Sequence, residues 1–398
     1  MIHVYLLHFI LSQHIILIKK NIAMGIYLDN AATTYMYPEV IDAMWPYYSR
    51  EFYNPQAGYT DSKRVKEKIE ECREILAGII NAKTSEIYFT SGGTESNNWI
   101  CSDAGRRKAH VITSSIEHKS MINPLLEYKR RGGRVTFIEP DKEGLVSAAS
   151  VRRAINGYTG LISIMMANNE IGTIEPVEEI GHIAREYGIL YHTDAVQAFG
   201  HIPIDVERLN LDSLSVSSHK FHGPKGTGFI YIRENNGVKP MIFGGGQERN
   251  MRAGTENVPG IVGMTVAAEL AHRNMEKCRQ HITAIRDYMF RRLQQLIPEI
   301  KINGSTKNRL PNNINFCVKD IDAVSLLVML DMEGIYASSG SACNGIGNEI
   351  SHVLKAIKLP EEYAAGALRI TLDESMTMRT AEYVVQVISK NIKKLKNI

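Results

Sequence analysis

From residue 64 onward, apolar residues recur at two alternating spacings. In RVKEKIEECREILAGII (64–80) they fall at Val65, Ile69, Cys72, Leu76, Ile79 and Ile80, a single helical stripe. EIYFTSGG (86–93) is then a short strand ending in hydroxyl and glycine. TESNNWICSDAG (94–105) resumes helix, with Thr94 placed as its N-cap and Glu95 in its first turn. The alternation continues through HVITSS (110–115, strand), KSMINPLLEYKRRG (119–132, helix) and RVTFIEP (134–140, strand). GLISIMMANNEIG (160–172) reads as a strand with a polar end, PVEEIGHIAREYG (176–188) as a helix, and ILYHTDAVQ (189–197) and SLSVSSHK (213–220) as strands. Strands that alternate with amphipathic helices build parallel βαβ units, so the pattern predicts an α/β fold whose sheet is covered on both faces.

After about residue 275 the texture changes. HITAIRDYMFRRLQQLI (281–297) reads as a long helix, and the shorter strands NNINFCV (312–318) and ALRITL (367–372) follow with helices between them. That is the pattern of a smaller α+β domain, and 398 residues is a length that suits two domains. The expected division is a large domain over 37–274 and a small one built from 24–36 and 275–398.

The first 23 residues, MIHVYLLHFILSQHIILIKKNIA, differ from everything after them. They are apolar but broken by His3, His8, Gln13 and His14, and their lysines follow the apolar run. A secretory signal carries its positive charge ahead of that run, and a membrane span needs about 20 cleaner apolar residues. The expectation is that Met24 opens the functional chain and that 1–23 are a dispensable extension rather than a membrane anchor.

Charge narrows the partners. A net charge of +3 is close to balanced and predicts no direct nucleic-acid contact; the basic tail KNIKKLKNI reads as a solvated helix end. The five cysteines (Cys72, Cys101, Cys278, Cys317, Cys343) are scattered without C-x-x-C spacing. Such usage fits a reducing, cytoplasmic setting and argues against a disulfide framework or a zinc site, so no metal is expected.

The strands end alike, each on a polar or small cluster: TSGGTES, SSIEHK, ANNEIG, TDAVQ, SSHK. Ligands bind at the carboxyl ends of strands in open parallel sheets, which makes this set of ends a candidate site. Gly93 and Thr94 in SGGTES stand at a strand-to-helix junction, which reads as an ordinary helix cap or as a phosphate cup. Asp194 reads as a turn aspartate or as an acceptor deep in a cleft, and His118, alone, as a hydrogen-bonded turn histidine. Lys220 changes the balance. A phosphate cup, a carboxylate and a lysine on neighbouring strand ends match the needs of pyridoxal 5′-phosphate: an amine for its aldehyde, an acid for its ring nitrogen and a helix N-terminus for its phosphate. Ser217 and His219 sit beside Lys220, where they can hold the phosphate or the ring. No G-x-G-x-x-G follows the first strand, and GPKGTG (223–228) only superficially echoes a P-loop.

A second region carries chemistry of another kind. ASSGSACNGIGNEISHVL (337–354) is dominated by serine and glycine, which predicts a mobile loop around Cys343. Cys343 reads as a tolerated surface cysteine or, in an electropositive setting, as a thiolate, since a free thiol has a pKa of about 8.5. The other four cysteines fall within apolar helix or strand patterns and read as core packing.

Taken together, YLDNAATT, NP (54–55), FTSGGTESNN, EHKS, NNEIGTIEPVEEI, HTDAVQAFG, SSHKFHGPKGTGF, GGGQERNMRAGTENV and SSGSAC resemble, in order, the cysteine desulfurases of the NifS/IscS type, from about Ile26 to the C-terminus. These are class V, fold-type I enzymes. The resemblance implies a large domain with a mainly parallel seven-stranded sheet flanked by helices, a smaller α+β domain, pyridoxal 5′-phosphate as cofactor and a homodimer. It also implies roles. Lys220 matches the lysine bonded to the cofactor, Asp194 the partner of the ring nitrogen, Gln197 that of the phenolic oxygen, and His118 the histidine stacked on the ring. Thr94, Ser217 and His219 match phosphate ligands, with Gly93 in the same turn, and Thr255 matches one donated across the dimer. Asn169 and Arg369 match groups that hold the substrate carboxylate, and Cys343 the sulfur acceptor. The implied reaction turns L-cysteine into L-alanine and leaves a persulfide on Cys343, for a scaffold or a tRNA-thiolation enzyme that takes the sulfur. Competing readings are a selenocysteine lyase or an aminotransferase of the same fold, and an inactive partner in a sulfur-transfer complex. Among the departures from the family pattern, Asp373 stands where glycine is usual and is expected to draw on the charge of Arg369.

Overall fold

The computed structural model describes residues 25–339 and 350–396. The extension 1–23, Met24 and Cys343 lie outside the described residues. The strands are β1 (Ile26–Tyr27), β2 (Ile87–Thr90), β3 (His110–Ser114), β4 (Val135–Ile138), β5 (Thr159–Ser163), β6 (Leu190–Asp194), β7 (Ser213–Ser217), β8 (Gly228–Ile232), β9 (Lys301–Ile302), β10 (Asn313–Cys317), β11 (Ile335–Tyr336) and β12 (Ala367–Thr371). The helices that matter below are α1 (Thr60–Ile79), α2 (Gly93–Arg106), α3 (Lys119–Arg130), α4 (Val177–Tyr187), α5 (Val258–Leu296), α6 (His352–Ala356) and α7 (Met378–Lys396).

The main sheet has seven strands in the order β2-β8-β7-β6-β5-β3-β4. All pairings are parallel except the two made by β8, which runs against β2 and β7. β3, β6, β7 and β8 are buried along their whole length because both faces of the sheet are covered, so that even the serines of the alternating β7, SLSVS, are inside. The period of two still shows in where the side chains go. Ile112, Ile162, Tyr191, Leu214 and Tyr231 enter the large core on one face; their neighbours Val111, Leu161, Leu190, Ile230 and Ile232 enter a second cluster with Trp99, Met121 and Leu125 on the other. A separate core forms around the three-stranded sheet β12-β10-β9, from Phe316, Leu368, Ile370, Leu330 and the apolar face of α7.

Two sequence expectations shift. First, α2 begins one residue before Thr94: Gly92 is the N-cap, at φ 143°, with no side-chain cap. Thr94 is the second helical residue, because only glycine adopts that backbone angle freely. Second, α5 is one helix of 39 residues, not one that starts near 281. Its buried residues from Val258 to Ala268 serve the large core and those from Ile282 to Leu293 the separate one. The stretch between, with Glu269, Arg273, Glu276, Lys277 and Arg279, is polar, so the apolar stripe breaks while the helix does not. The predicted boundary at 274/275 falls inside this stretch. Cys278, on the same stretch, is half-buried and packs against the edge of the separate core, whereas Cys72, Cys101 and Cys317 are buried. Among the described residues no helix is long and apolar enough to cross a membrane.

Candidate active site

The carboxyl ends of the parallel strands open onto a cleft of about 550 Å³. Gly93, Thr94, His118, Asn169, Asp194, Gln197, Ser217, His219, Lys220 and Arg369 all line it, so the structure gathers ten of the predicted residues from six separate segments. Thr255 does not line it: it lies exposed in the segment leading into α5. Cys343 is outside the described residues.

One wall is an anion cradle. The first backbone bond of α2 runs from Ser96 N to Gly92 O at 3.2 Å, so the amides of Gly93, Thr94 and Glu95 precede the helical ladder. A Cβ on Gly93 would stand 2.5 Å from Val196 Cγ2, and one on Gly228 would stand 2.7 Å from Gly92 Cα. Glycine at these positions lets the turn lie flat against β7 and β8. Leading amides and the positive end of the helix dipole together attract an anion. Ser217 and the basic Lys225, which the sequence reading gave no role, border the same wall.

A hydrogen-bonded chain crosses the cleft. Asp194, at the end of β6 and 4% exposed, accepts from Val196 N on Oδ1 (2.9 Å) and from Asn97 Nδ2 on Oδ2 (2.7 Å). Asn97 Nδ2 also donates to Ser120 Oγ (2.9 Å), and Ser120 Oγ lies 2.7 Å from His118 Nδ1. Ser120 N donates to the same Nδ1 at 3.2 Å, so His118 caps α3 and its Nδ1 is an acceptor. That leaves the neutral ring's proton on Nε2. Burial lowers the His118 pKa; Lys220 and Lys119 push the same way, against the pull of Asp194.

The motif DNAATT faces this chain. Lys220 Nζ donates to Ala31 O (2.5 Å) and Ala32 O (2.8 Å), and Gln197 Nε2 to Ala31 O (3.0 Å). His219 Nδ1 lies 3.0 Å from Thr33 Oγ1, and burial followed by the charges of Lys220 and Lys225 lowers its pKa to about 4.

Arg369, on β12, has its side chain 4% exposed and reaches back across the sheets. Its Nη1 donates to Asn169 O (3.1 Å) and its Nη2 pairs with Asp29 Oδ1 (2.6 Å), while Nε has no protein partner. The ion-pair partner of Arg369 is thus Asp29, which the sequence reading did not name. Asp373 spends an oxygen on Ser375 N and Oγ in its own turn. Sequence reasoning missed Asn97, Ser120 and Asp29 as members of the site, although all three stand inside quoted motifs: FTSGGTESNN, EHKS and YLDNAATT.

A lysine and a carboxylate on adjacent parallel strand ends, facing a glycine cradle, define the transferase class to which the chain belongs: the model of the family aminotransferase class-V matches residues 26–384. Among curated relatives, the cysteine desulfurase IscS of Dictyoglomus turgidum is 46% identical over 377 residues, covering 94% of this chain and 96% of the relative. That of Methanosarcina thermophila is 47% identical over 378 residues, 94% of this chain and 93% of the relative. Within the class, then, the chain belongs to the IscS/NifS-type cysteine desulfurases. Among solved structures, a NifS-like protein superposes with a TM-score of 0.88 at 35% identity, over 94% of this chain and all (100%) of that one. SspA in complex with cysteine superposes at 0.77 with 37% identity, over 87% of this chain and 99% of that one.

Proposed function

We propose that the chain is a pyridoxal 5′-phosphate-dependent cysteine desulfurase acting in the cytoplasm. It converts L-cysteine to L-alanine and passes the sulfur through Cys343 to an acceptor protein, in iron–sulfur cluster assembly or tRNA thiolation. The observation that carries this reading is that Lys220, in the turn after β7, and Asp194, at the end of the adjacent β6, line one cleft with the Gly92–Gly93 cradle, in a chain 46% identical to a cysteine desulfurase IscS.

The residues fit the cofactor that the family generally uses. A Cβ on Gly93 would collide with Val196, so glycine there lets the turn pack with its leading amides at the cleft. Thr94, Ser217 and His219 would hold that phosphate, joined in a homodimer by the partner subunit's Thr255; Asp194 would hold the ring nitrogen, Gln197 the phenolic oxygen and His118 the ring face. When bound, the cofactor supplies an aldehyde for an amine and an electron sink for the substrate's α-carbon.

The chain's own residues do the rest. Arg369 and Asn169 take the substrate carboxylate, and the unpartnered Nε of Arg369 is a ready donor for it. Lys220 Nζ and His118 Nε2 hold and return protons at the reacting carbons. Cys343, as thiolate, attacks the substrate sulfur: the carbon–sulfur bond breaks, a sulfur–sulfur bond forms, and the hydrogen gained by the carbon skeleton makes alanine. The separate core around β10 and β12 supports a division into a large domain (37–274) and a small one (24–36 with 275–398).

The test is an absorption spectrum of the purified protein supplied with pyridoxal 5′-phosphate, followed by L-cysteine with alanine and sulfide measured together. A coloured protein that forms both products, with one extra sulfur atom on Cys343 by mass spectrometry, is expected. A colourless protein sinks the reading. Full turnover in Cys343→Ala would instead favour an aminotransferase, and, with L-selenocysteine supplied in a parallel assay, alanine and selenide formed from it but no alanine from L-cysteine would favour a selenocysteine lyase.

A further inference from the structure

Two loops bring site residues to the cleft: residues 115–118 after β3, ending in His118, and residues 164–171 after β5, containing Asn169. A buried polar network that does not line the cleft ties them together. Asn168, fully buried, donates from Nδ2 to Ile116 O (2.9 Å) and accepts on Oδ1 from the amides of Glu170 (2.9 Å) and Ile171 (3.0 Å). Glu170, 5% exposed, is held from two further sides. Its carbonyl accepts from Asn313 (3.1 Å) and Asn315 (2.9 Å) of β10, and its Oε2 accepts from Ser351 Oγ at 2.5 Å.

Ser351 and His352 open α6, the first described helix after residues 340–349. Ser351 Oγ accepts from Val353 N (3.0 Å) as the N-cap, which leaves its hydroxyl hydrogen for Glu170. His352 Nε2 lies 2.9 Å from Glu117 O, and since a carbonyl only accepts, Nε2 is the donor. Asn169 O, one residue from Glu170, accepts from Arg369. Consecutive residues of one helix start thus grip the His118 loop and the Asn169 loop separately.

We propose that Asn168, Glu170, Ser351 and His352 are positioning residues: together they fix the separation of His118 from the Asn169–Arg369 pair and register α6 to both. This deepens the proposed function and rests on it for the meaning of His118 and Asn169. A substrate held by its carboxylate at one loop and worked on near the other reacts only when the two loops keep one spacing, and small displacements are costly in rate. Burial supports the same reading. It pushes the Glu170 carboxyl up to about 7, against the Ser351 hydrogen bond and the charges of Arg369 and Lys119, so the Ser351 contact is a desolvated one.

The test compares Ser351→Ala and His352→Phe, which remove the donors, with Ser351→Thr and His352→Gln, which keep them. Amide hydrogen exchange by mass spectrometry on the full chain reads the loops directly, without any turnover. In the first pair, exchange in peptides covering 115–122 and 166–172 is expected to quicken roughly tenfold, the effect of one lost buried hydrogen bond on local opening. Peptides from α5 and α7 should keep wild-type rates, and the second pair should match wild type throughout. Steady-state kinetics on L-cysteine should follow, with kcat/KM lost in the first pair and recovered in the second. Unchanged exchange in the two loops overturns the proposal, and so does uniform acceleration across the chain. A wild-type protein that makes no alanine overturns the function alone, because the exchange pattern is read independently of it.

Discussion

Asp194 and Glu117 are carboxyls at the ends of two strands of one sheet, and they are treated in opposite ways. Each oxygen of Asp194 takes a hydrogen bond from an amide group, and the residue lines the cleft. Glu117 is completely buried, accepts from Ser114 Oγ (2.6 Å) and Met165 N (2.9 Å) on Oε1, and leaves Oε2 without a protein partner. Burial raises its pKa to about 8, helped by the nearby charge of Asp194 and opposed by the bonds from Ser114 and Met165. The lesson is that neighbours, not residue type, decide which acid does chemistry. A carboxylate satisfied on both oxygens can face a cation in the cleft, whereas one with an orphaned oxygen favours its proton and serves as a tie between strands.

The largest effect that sharpens this contrast lies opposite Asp194. Lys220→Ala is expected to lower alanine formation from L-cysteine at least ~1,000-fold, because the proposed function gives that amine both the cofactor aldehyde and a proton to move. Next comes the same chemical change at the two acids: Asp194→Asn should cost ~100-fold or more in kcat/KM, and Glu117→Gln less than about threefold. Equal losses would erase the contrast. Third, Arg369→Lys should raise KM for L-cysteine roughly tenfold with a smaller change in kcat, since a lysine cannot serve Asn169, Asp29 and a substrate carboxylate at once. The smallest effect is one of stability. A carboxyl raised from 4.5 to about 8 on folding lends stability that is fully present below 4.5 and is lost as pH rises through about 8. Glu117→Gln stays neutral throughout, so its melting temperature should gain on wild type by roughly a few degrees between pH 5 and 8.5. A constant gap across that window would show that Glu117 does not titrate there.

Much of the cleft was legible because the polar end of each strand is a local signal: SSHK, TDAVQ and ANNEIG each put their site residue directly after an apolar run. Asn97 and Ser120 escaped because they sit inside helices, where an asparagine or serine reads as ordinary surface until a partner distant in sequence is known. Asp29 escaped for the same reason, as it meets Arg369 across 340 positions. The misplacement of the α2 cap came from preferring a hydroxyl at N-cap, when the backbone angle at Gly92 had already decided the start. The antiparallel strand β8 has no signature distinguishing it from a parallel one, since both of its faces are covered.

Helix α5 touches the turn bearing Lys220 near one end and packs against β10, the neighbour of Arg369's strand, toward the other. At about 1.5 Å per residue an unbroken rod of that kind spans ~58 Å. It acts as the frame of a calliper: the amine is mounted on one jaw, the guanidinium on the other, and the frame has no joint. The amine and the guanidinium are thus referred to one continuous helix, whose two halves serve the two cores on either side of the cleft.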